Sequence, residues 1–195
     1  LPELDVFSVP PTQMAIDRVI ETVHRPFAKV ETGKEIEFEI DTLPDEFLRL
    51  NETELHLKIR VDVEKKGTNT TLTKDEWKNI GCVNNFAHSI WNHVTLCING
   101  KPVTSMPTTY AYRAYLDTLF GFSNDSKTSW LSSVLWKTDS TDDELTKGIN
   151  DSRTKYLVSD DTAKYSSGVG NELELIMRPH LDLFMQERSL VGGVK

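Results

Sequence analysis

Cysteine and histidine side chains, the usual ligands of structural zinc, are concentrated between residues 82 and 97. Cys82, His88, His93 and Cys97 follow the spacing C-x5-H-x4-H-x3-C. Structural zinc sites normally take their ligands as close cysteine and histidine pairs in a regular order along the chain. The four residues do not follow that order, so the sequence predicts no metal site.

A cysteine beside a histidine could also act as a nucleophile, with Cys97 as the thiolate and His88 or His93 as its base. Such a cysteine needs an activating turn or helix N-terminus beside it, and the sequence indicates neither next to Cys97. The segment SSGVG at residues 166–170 lacks the Lys-Ser/Thr of a phosphate-binding loop. We therefore predict no catalytic residues and no cofactor, and expect that the protein is not an enzyme.

Charge and hydropathy exclude further classes. The chain has 195 residues, a formal net charge of −8 and no run of basic residues, so sequence-specific binding of nucleic acid is not expected. It contains no stretch of the roughly 20 apolar residues that a membrane span requires. The first residues lack the pattern of a signal peptide. We expect a protein that is made in the cytoplasm or nucleus, spans no membrane and is not secreted.

The elements that would position these residues are mostly strands. Residues 35–40 alternate apolar and acidic side chains, and residues 54–63 give the longest alternating pattern in the chain. A third pattern covers residues 93–99, and Asn99-Gly100 then predicts a type I′ hairpin turn. Residues 172–178 and 181–185 alternate again. Residues 1–30 are rich in proline and predict an N-terminal arm.

One short helix interrupts the strands. Its apolar stripe consists of Tyr112, Tyr115, Leu116 and Leu119, and Gly121 is placed to end it after about three turns. These tyrosines are expected to face the core.

Residues 123–170 are rich in serine, threonine, aspartate and lysine, and predict a long exposed loop anchored near residues 130–136. Short strands, one helix and long loops favour an all-β antiparallel sandwich of the jelly-roll type, occupying residues 31–195.

Several segments, in order, resemble one family. They are SVPPTQ at residues 8–13, NNFAHSIWNHVTLCINGKPVTS at 84–105, TTYAYRAYLDTLFGF at 108–122, KTSWLSSVLWKTD at 127–139 and RPHLDLFMQERSLVGGVK at 178–195. Together they resemble the major capsid protein of Polinton/Maverick elements and of adintovirus-like viruses. The resemblance implies a double jelly roll, of which this chain would be the first roll. It also implies a homotrimer that assembles into an icosahedral shell with minor capsid or penton proteins, and location in the virion capsid.

On this hypothesis, self-association would be the function. The candidate assembly contacts are Phe7, Val9, Pro10 and Pro11 of the arm, Tyr110 and Tyr112 of the helix, and Trp130 and Trp136. Intramolecular packing is the alternative explanation for each of them, because large apolar residues are buried by default. The alternative function is a ligand- or carbohydrate-binding jelly-roll module that uses Trp130 and Trp136. A metal-dependent, cupin-like enzyme would need histidines that converge inside the barrel.

Overall fold

The computed structural model of the chain describes residues 16–31, 33–67, 71–104, 107–139, 151–159 and 161–193. The chain divides into two units, Leu1–Asp41 and Thr42–Lys195. In the first unit, the described residues form neither helix nor strand. A backbone hydrogen bond of 2.8 Å from the Phe27 N–H to the Glu37 carbonyl joins the two sides of a bend. Gly33 lies in that bend with φ of 77°.

The second unit contains all the described strands and helices. The strands are β1 (Phe47–Leu48), β2 (Leu55–Arg60), β3 (Cys97–Ile98), β4 (Lys101–Pro102), β5 (Glu172–Met177) and β6 (Leu190–Val191). The helices are α1 (Lys74–Trp77), α2 (Phe86–Ser89), α3 (Tyr110–Gly121), α4 (Asn124–Thr128), α5 (Asp151–Leu157) and α6 (Thr162–Ser166). Short 3-10 segments are Leu50–Glu52, Pro107–Thr109, Trp130–Val134 and Asp182–Phe184.

The longest strands, β2 and β5, pair with each other in antiparallel orientation, with Leu55 opposite Met177 and Ile59 opposite Leu173. Leu55, Leu57 and Ile59 of β2 face the same side as Leu173, Leu175 and Met177 of β5, and these three β5 side chains are buried there. Ile176 lies on the opposite, exposed face. The alternating sequence explains this arrangement, since a period of two places every second residue on the same face of a strand. The other strands form two small antiparallel pairs, β1 with β6 and β3 with β4.

Helices and 3-10 segments cover the apolar face of β2 and β5. The buried core draws on helices, a 3-10 segment and one strand. It includes Ala87 of α2, Tyr110 and Ala114 of α3, Leu131, Val134, Leu135 and Trp136, Leu157 of α5, and Leu173, Leu175 and Met177 of β5. Trp77, at the end of α1, is also fully buried. A capping box begins α1, in which the Thr73 hydroxyl accepts from the Glu76 N–H and the Glu76 carboxylate accepts from the Thr73 N–H.

The prediction of an all-β jelly roll, and of a double jelly roll beyond it, is wrong. Strands make up only 13% of the residues and lie in small two-stranded sheets, whereas helices make up 30%. Residues 35–40 form no strand, and a 3-10 segment at Asp182–Phe184 replaces the strand expected at 181–185. Alternation shows only which residues could share a face of a sheet, and a strand also needs a partner for its backbone hydrogen bonds.

The boundary between the units follows Asp41, whereas the sequence placed the end of the arm at residue 30. The expected loop at residues 123–170 contains α4, α5, α6 and the 3-10 segment Trp130–Val134. Its apolar residues are few, but Leu131, Trp136 and Leu157 are among the most buried in the chain. A segment of low overall hydropathy can therefore contribute to the core through a few well-placed side chains.

Candidate functional site

Helix α3 positions the most distinctive group of polar side chains. Its buried face carries Tyr110, Ala114 and Thr118, which are spaced four residues apart and therefore lie above one another on the helix. The small residues Ala114 and Thr118 allow close packing, and the Thr118 hydroxyl donates to the Ala114 carbonyl at 2.7 Å. Tyr110 is the large residue of this face, and only 1% of its surface is exposed.

The Tyr110 hydroxyl joins two buried histidines into what we call the Tyr110 cluster: Tyr110, His88 and His180. The hydroxyl lies 2.9 Å from His88 Nδ1 and accepts from the His180 backbone N–H at 3.4 Å. The two imidazole rings meet edge to face, with their centroids 4.8 Å apart. Each residue comes from a different part of the chain, so the cluster ties α2, α3 and the segment after β5 together.

Burial keeps the Tyr110 cluster uncharged. Desolvation, together with the neighbouring His180, lowers the pKa of His88 to about 3. Burial also lowers the pKa of His180, although the Asp117 carboxylate opposes that shift. The pKa of the Tyr110 phenol is raised by its burial. The three side chains are therefore neutral at physiological pH, and hydrogen bonds rather than ion pairs hold them.

Charged residues border the cluster on its solvent side. Arg113 donates to the Asp182 carboxylate at 2.6 Å, and its Nε lies 3.5 Å from Asp117. Asp117 also lies 3.4 Å from His180 Nδ1. The pair with Asp182 raises the pKa of Arg113 and lowers that of Asp182. Two carboxylates against one guanidinium leave this edge with a net charge of −1.

An open groove runs along the same side of α3, and we call it the α3 groove. Its volume is about 410 Å³. Seven aliphatic or aromatic side chains line it, Leu96, Val103, Tyr110, Tyr112, Leu116, Leu181 and Leu183. Its polar lining consists of Thr104, Thr109, Arg113, Asp117 and Asp182. A mostly apolar groove with charges at one edge suits an apolar chain segment better than a small polar substrate.

Burial limits the chemistry that His88 and Cys82 can perform. A histidine with a pKa near 3 cannot exchange protons efficiently near pH 7, which removes His88 as a general base. In the part of the chain that the structure describes, no three His, Cys, Asp or Glu side chains are grouped to hold a metal ion. Both cysteines are free, and burial raises the pKa of the Cys82 thiol.

The candidate assembly contacts have different positions. Tyr110 lies in the buried cluster, and Trp136 is buried against Tyr115 with ring centroids 5.4 Å apart. Tyr112 is 77% exposed at the α3 groove. Trp130 is about half exposed and meets Phe122 edge to face at 5.2 Å. The arm residues Phe7, Val9, Pro10 and Pro11 lie outside the described residues. A carbohydrate site that used both tryptophans would lack the buried Trp136.

The stripe that predicted α3 does not face the core. Tyr112, Tyr115, Leu116 and Leu119 are all partly or largely exposed, and the opposite face is buried instead. Tyrosine, alanine and threonine gave a weaker apolar signal than the stripe. The residues that meet Tyr110 at the buried face are polar: His88 and His180 come from two other segments that resemble the capsid protein.

Arg153 is a structural residue that the sequence did not indicate. Its guanidinium is buried, yet it donates to the Cys82 carbonyl at 2.9 Å and the Lys137 carbonyl at 2.8 Å. It also pairs with Asp139 at 2.8 Å. A buried arginine persists because each of its donor groups finds an acceptor. Nothing in a polar, low-complexity segment distinguishes such an arginine from a solvated one.

Comparisons with family models, with curated proteins and with solved structures found no match to this chain. Among the described helices, none is long and apolar enough to cross a membrane. The observations that bear on function are therefore the Tyr110 cluster, the α3 groove, the exposed apolar residues and the resemblance of the sequence segments.

Proposed function

We propose that the chain is a structural subunit of a viral shell and that it works by self-association, first into homotrimers and then into an icosahedral capsid. The segments that resemble the major capsid protein of Polinton/Maverick elements suggest this function. The proposal does not depend on the jelly-roll fold, which the structure does not have. Minor capsid or penton proteins would be additional partners, and the virion its location.

The observation that carries the proposal is that three of the resembling segments meet in the Tyr110 cluster. His88, Tyr110 and His180 come from three of them, at residues 84–105, 108–122 and 178–195, and meet in one buried, neutral cluster. Residues that serve packing rather than chemistry are what a structural subunit requires. The capsid hypothesis accounts for the order in which the resembling segments follow one another along the chain. The alternative of an isolated binding module does not account for that order.

Exposed apolar residues support the same proposal. In the first unit, Ile16, Val19, Ile20, Val23, Phe27 and Val30 are all at least half exposed. On α3, Tyr112, Leu116 and Phe120 are exposed as well. Scattered apolar residues are normal on a surface, but groups of them mark surfaces that associate. In a shell, many weak contacts of this kind add up through multivalency.

The test is the assembly state of the full chain. We expect mass photometry to show trimers whose fraction increases with concentration, and electron microscopy to show closed particles at higher concentration. A chain that remained monomeric across that range and formed no particles would overturn the proposal. Glycan-array binding by such a monomer would favour the carbohydrate-binding alternative instead.

A further inference from the structure

We propose that residues 22–30 of one copy dock in the α3 groove of a second copy. This inference rests on the proposed self-association and names the two surfaces that meet. It concerns the described part of the first unit and a groove that lies wholly within the second unit. The proposed occupant is therefore a segment of this same chain contributed by a neighbouring molecule.

The segment has the composition of a ligand for the groove. Residues 22–30 read TVHRPFAKV, with two cations and no carboxylate in a chain whose net charge is −8. Val23 is 92% exposed and Phe27 is 75% exposed, so both apolar side chains lie on the surface of the first unit. Burial of large apolar side chains by a partner would be favourable, because it removes apolar surface from water.

An extended backbone would give the segment one recognition face. The segment bends at Phe27 and Ala28, so Val23, Arg25, Phe27 and Lys29 share a face only in a fully extended, docked conformation. Apolar and cationic residues then alternate along it. The hydrogen bond from the Phe27 N–H to the Glu37 carbonyl fixes the backbone at the centre of the segment while leaving the Phe27 side chain exposed.

The groove offers the complementary features. Leu116 and Leu181 belong to its apolar lining, and Asp117 and Asp182 lie at its edge with Arg113 between them. The edge keeps one negative charge after the arginine is counted, which matches a cationic segment. Phe27 and Val23 would fill the apolar part, with Arg25 and Lys29 near the carboxylates. Electrostatic complementarity of this kind selects the register more than it adds affinity.

A disulfide trap between two differently tagged copies tests the docking. One copy carries Phe27→Cys, the other carries Leu116→Cys, and both carry Cys97→Ser because Cys97 is exposed. Under mild oxidation, we expect about tenfold more cross-linked heterodimer than with a Phe120→Cys partner, since a disulfide needs Cα atoms within about 7 Å. Phe120 is a matched control, because it lies on the same helix and is highly exposed but does not line the groove.

A second pair of variants reads out assembly without oxidation. Leu116→Asp should raise the concentration needed for half-assembly by about tenfold, which corresponds to roughly 1.4 kcal/mol. Phe120→Asp should leave it within about twofold, since a surface charge away from the contact changes little. Circular dichroism of each variant checks that the chain is folded.

The outcomes separate this inference from the proposed function. Particles that form without the heterodimer cross-link, and with equal tolerance of both aspartate variants, would overturn the docking and leave the shell proposal intact. A third variant carries Phe27→Cys and Leu116→Cys in the same chain. If it forms only an intramolecular cross-link, the segment binds its own molecule, which would also overturn the docking between copies. Failure of the unmodified chain to associate at all would overturn both proposals.

Discussion

At the scale of single residues, the hydroxyl of Tyr110 is the most informative atom in the chain. It serves His88 Nδ1 and the His180 backbone N–H together, so three segments depend on one oxygen. A buried polar group without its partner destabilises the fold by more than its hydrogen bond had stabilised it, because the desolvation of the group is no longer compensated. The cluster therefore acts as a specific connection inside an otherwise apolar core.

Removal of that hydroxyl should destabilise the protein. Tyr110→Phe keeps the ring and leaves two buried polar groups without their partner, so we expect a loss of about 1–3 kcal/mol in the free energy of unfolding. Tyr112→Phe is the matched control on the same helix, where the exposed side chain should change stability by less than about 0.5 kcal/mol. Urea denaturation measures both. Equal effects of the two variants would mean that the cluster has no special role.

The buried histidines also predict a pH dependence. The pKa of His88 is about 3 in the folded chain and near 6.5 when it is unfolded, so the unfolded chain takes up a proton that the folded chain rejects. The contribution of His88 to stability is therefore fully present above pH 6.5 and decreases as the pH falls towards 3. For His88 alone we expect a loss of about 2 kcal/mol between pH 7 and pH 5.

Chemical denaturation at several pH values checks this effect. The lowered pKa of His180 acts in the same direction, whereas the paired carboxylates Asp62 and Glu172 lose their contribution only below their ordinary pKa values of about 4. The interval from pH 7 to pH 5 thus reports the histidines. His88→Gln should flatten the profile in this interval, and a wild-type profile that is already flat would contradict the assignment.

At the scale of elements, the sequence predicted local structure well where one pattern decided it. The β2 and β5 strands and the Asn99-Gly100 turn are confirmed, with φ of 50° at Asn99 and 73° at Gly100. The position and length of α3 are also confirmed. Its ending is not the expected left-handed cap, because Phe122 follows Gly121 in extended conformation.

The wrong predictions concern features that the local sequence pattern does not determine. The sequence could not tell that α3 buries Tyr110 with two small residues rather than its larger stripe, because the decision depends on what α2 and the His180 segment present to it. Likewise, residues 35–40 have the alternation of a strand but no strand pairing in the described chain. Strand pairing and the choice of the buried helix face are set by tertiary contacts, which can override the local preference of the sequence.

Close backbone contact between the segment after β2 and the segment before β5 gives a prediction for one glycine. Gly168 has φ of 81°, and a Cβ there would lie 2.0 Å from the Val63 carbonyl oxygen. Gly168→Ala should therefore cost at least about 2 kcal/mol through backbone strain and overlap. Gly121→Ala is the control, because a Cβ there meets nothing within 4 Å. Thermal unfolding compares the two, and similar melting temperatures would show that the chain does not need this approach.

At the scale of the whole molecule, net charge and exposed apolar residues act in opposite directions on association. Each copy carries a formal charge of −8, so like copies repel at long range. The exposed apolar residues of the first unit and of α3 favour contact only at short range. The balance between repulsion and apolar contact depends on screening by salt, so the proposed assembly should depend on salt concentration.

Association should increase with ionic strength. The Debye length falls from about 10 Å at 0.1 M salt to about 3 Å at 1 M, which screens the repulsion between copies while leaving apolar contacts intact. We expect light scattering to show a lower assembly concentration at 1 M sodium chloride than at 0.1 M. Sodium sulfate at matched ionic strength should promote assembly further, because this salt also strengthens apolar burial. Assembly that weakened steadily with added salt would instead indicate that ion pairs, such as those of Arg25 and Lys29 with the groove carboxylates, dominate the contact over Val23 and Phe27.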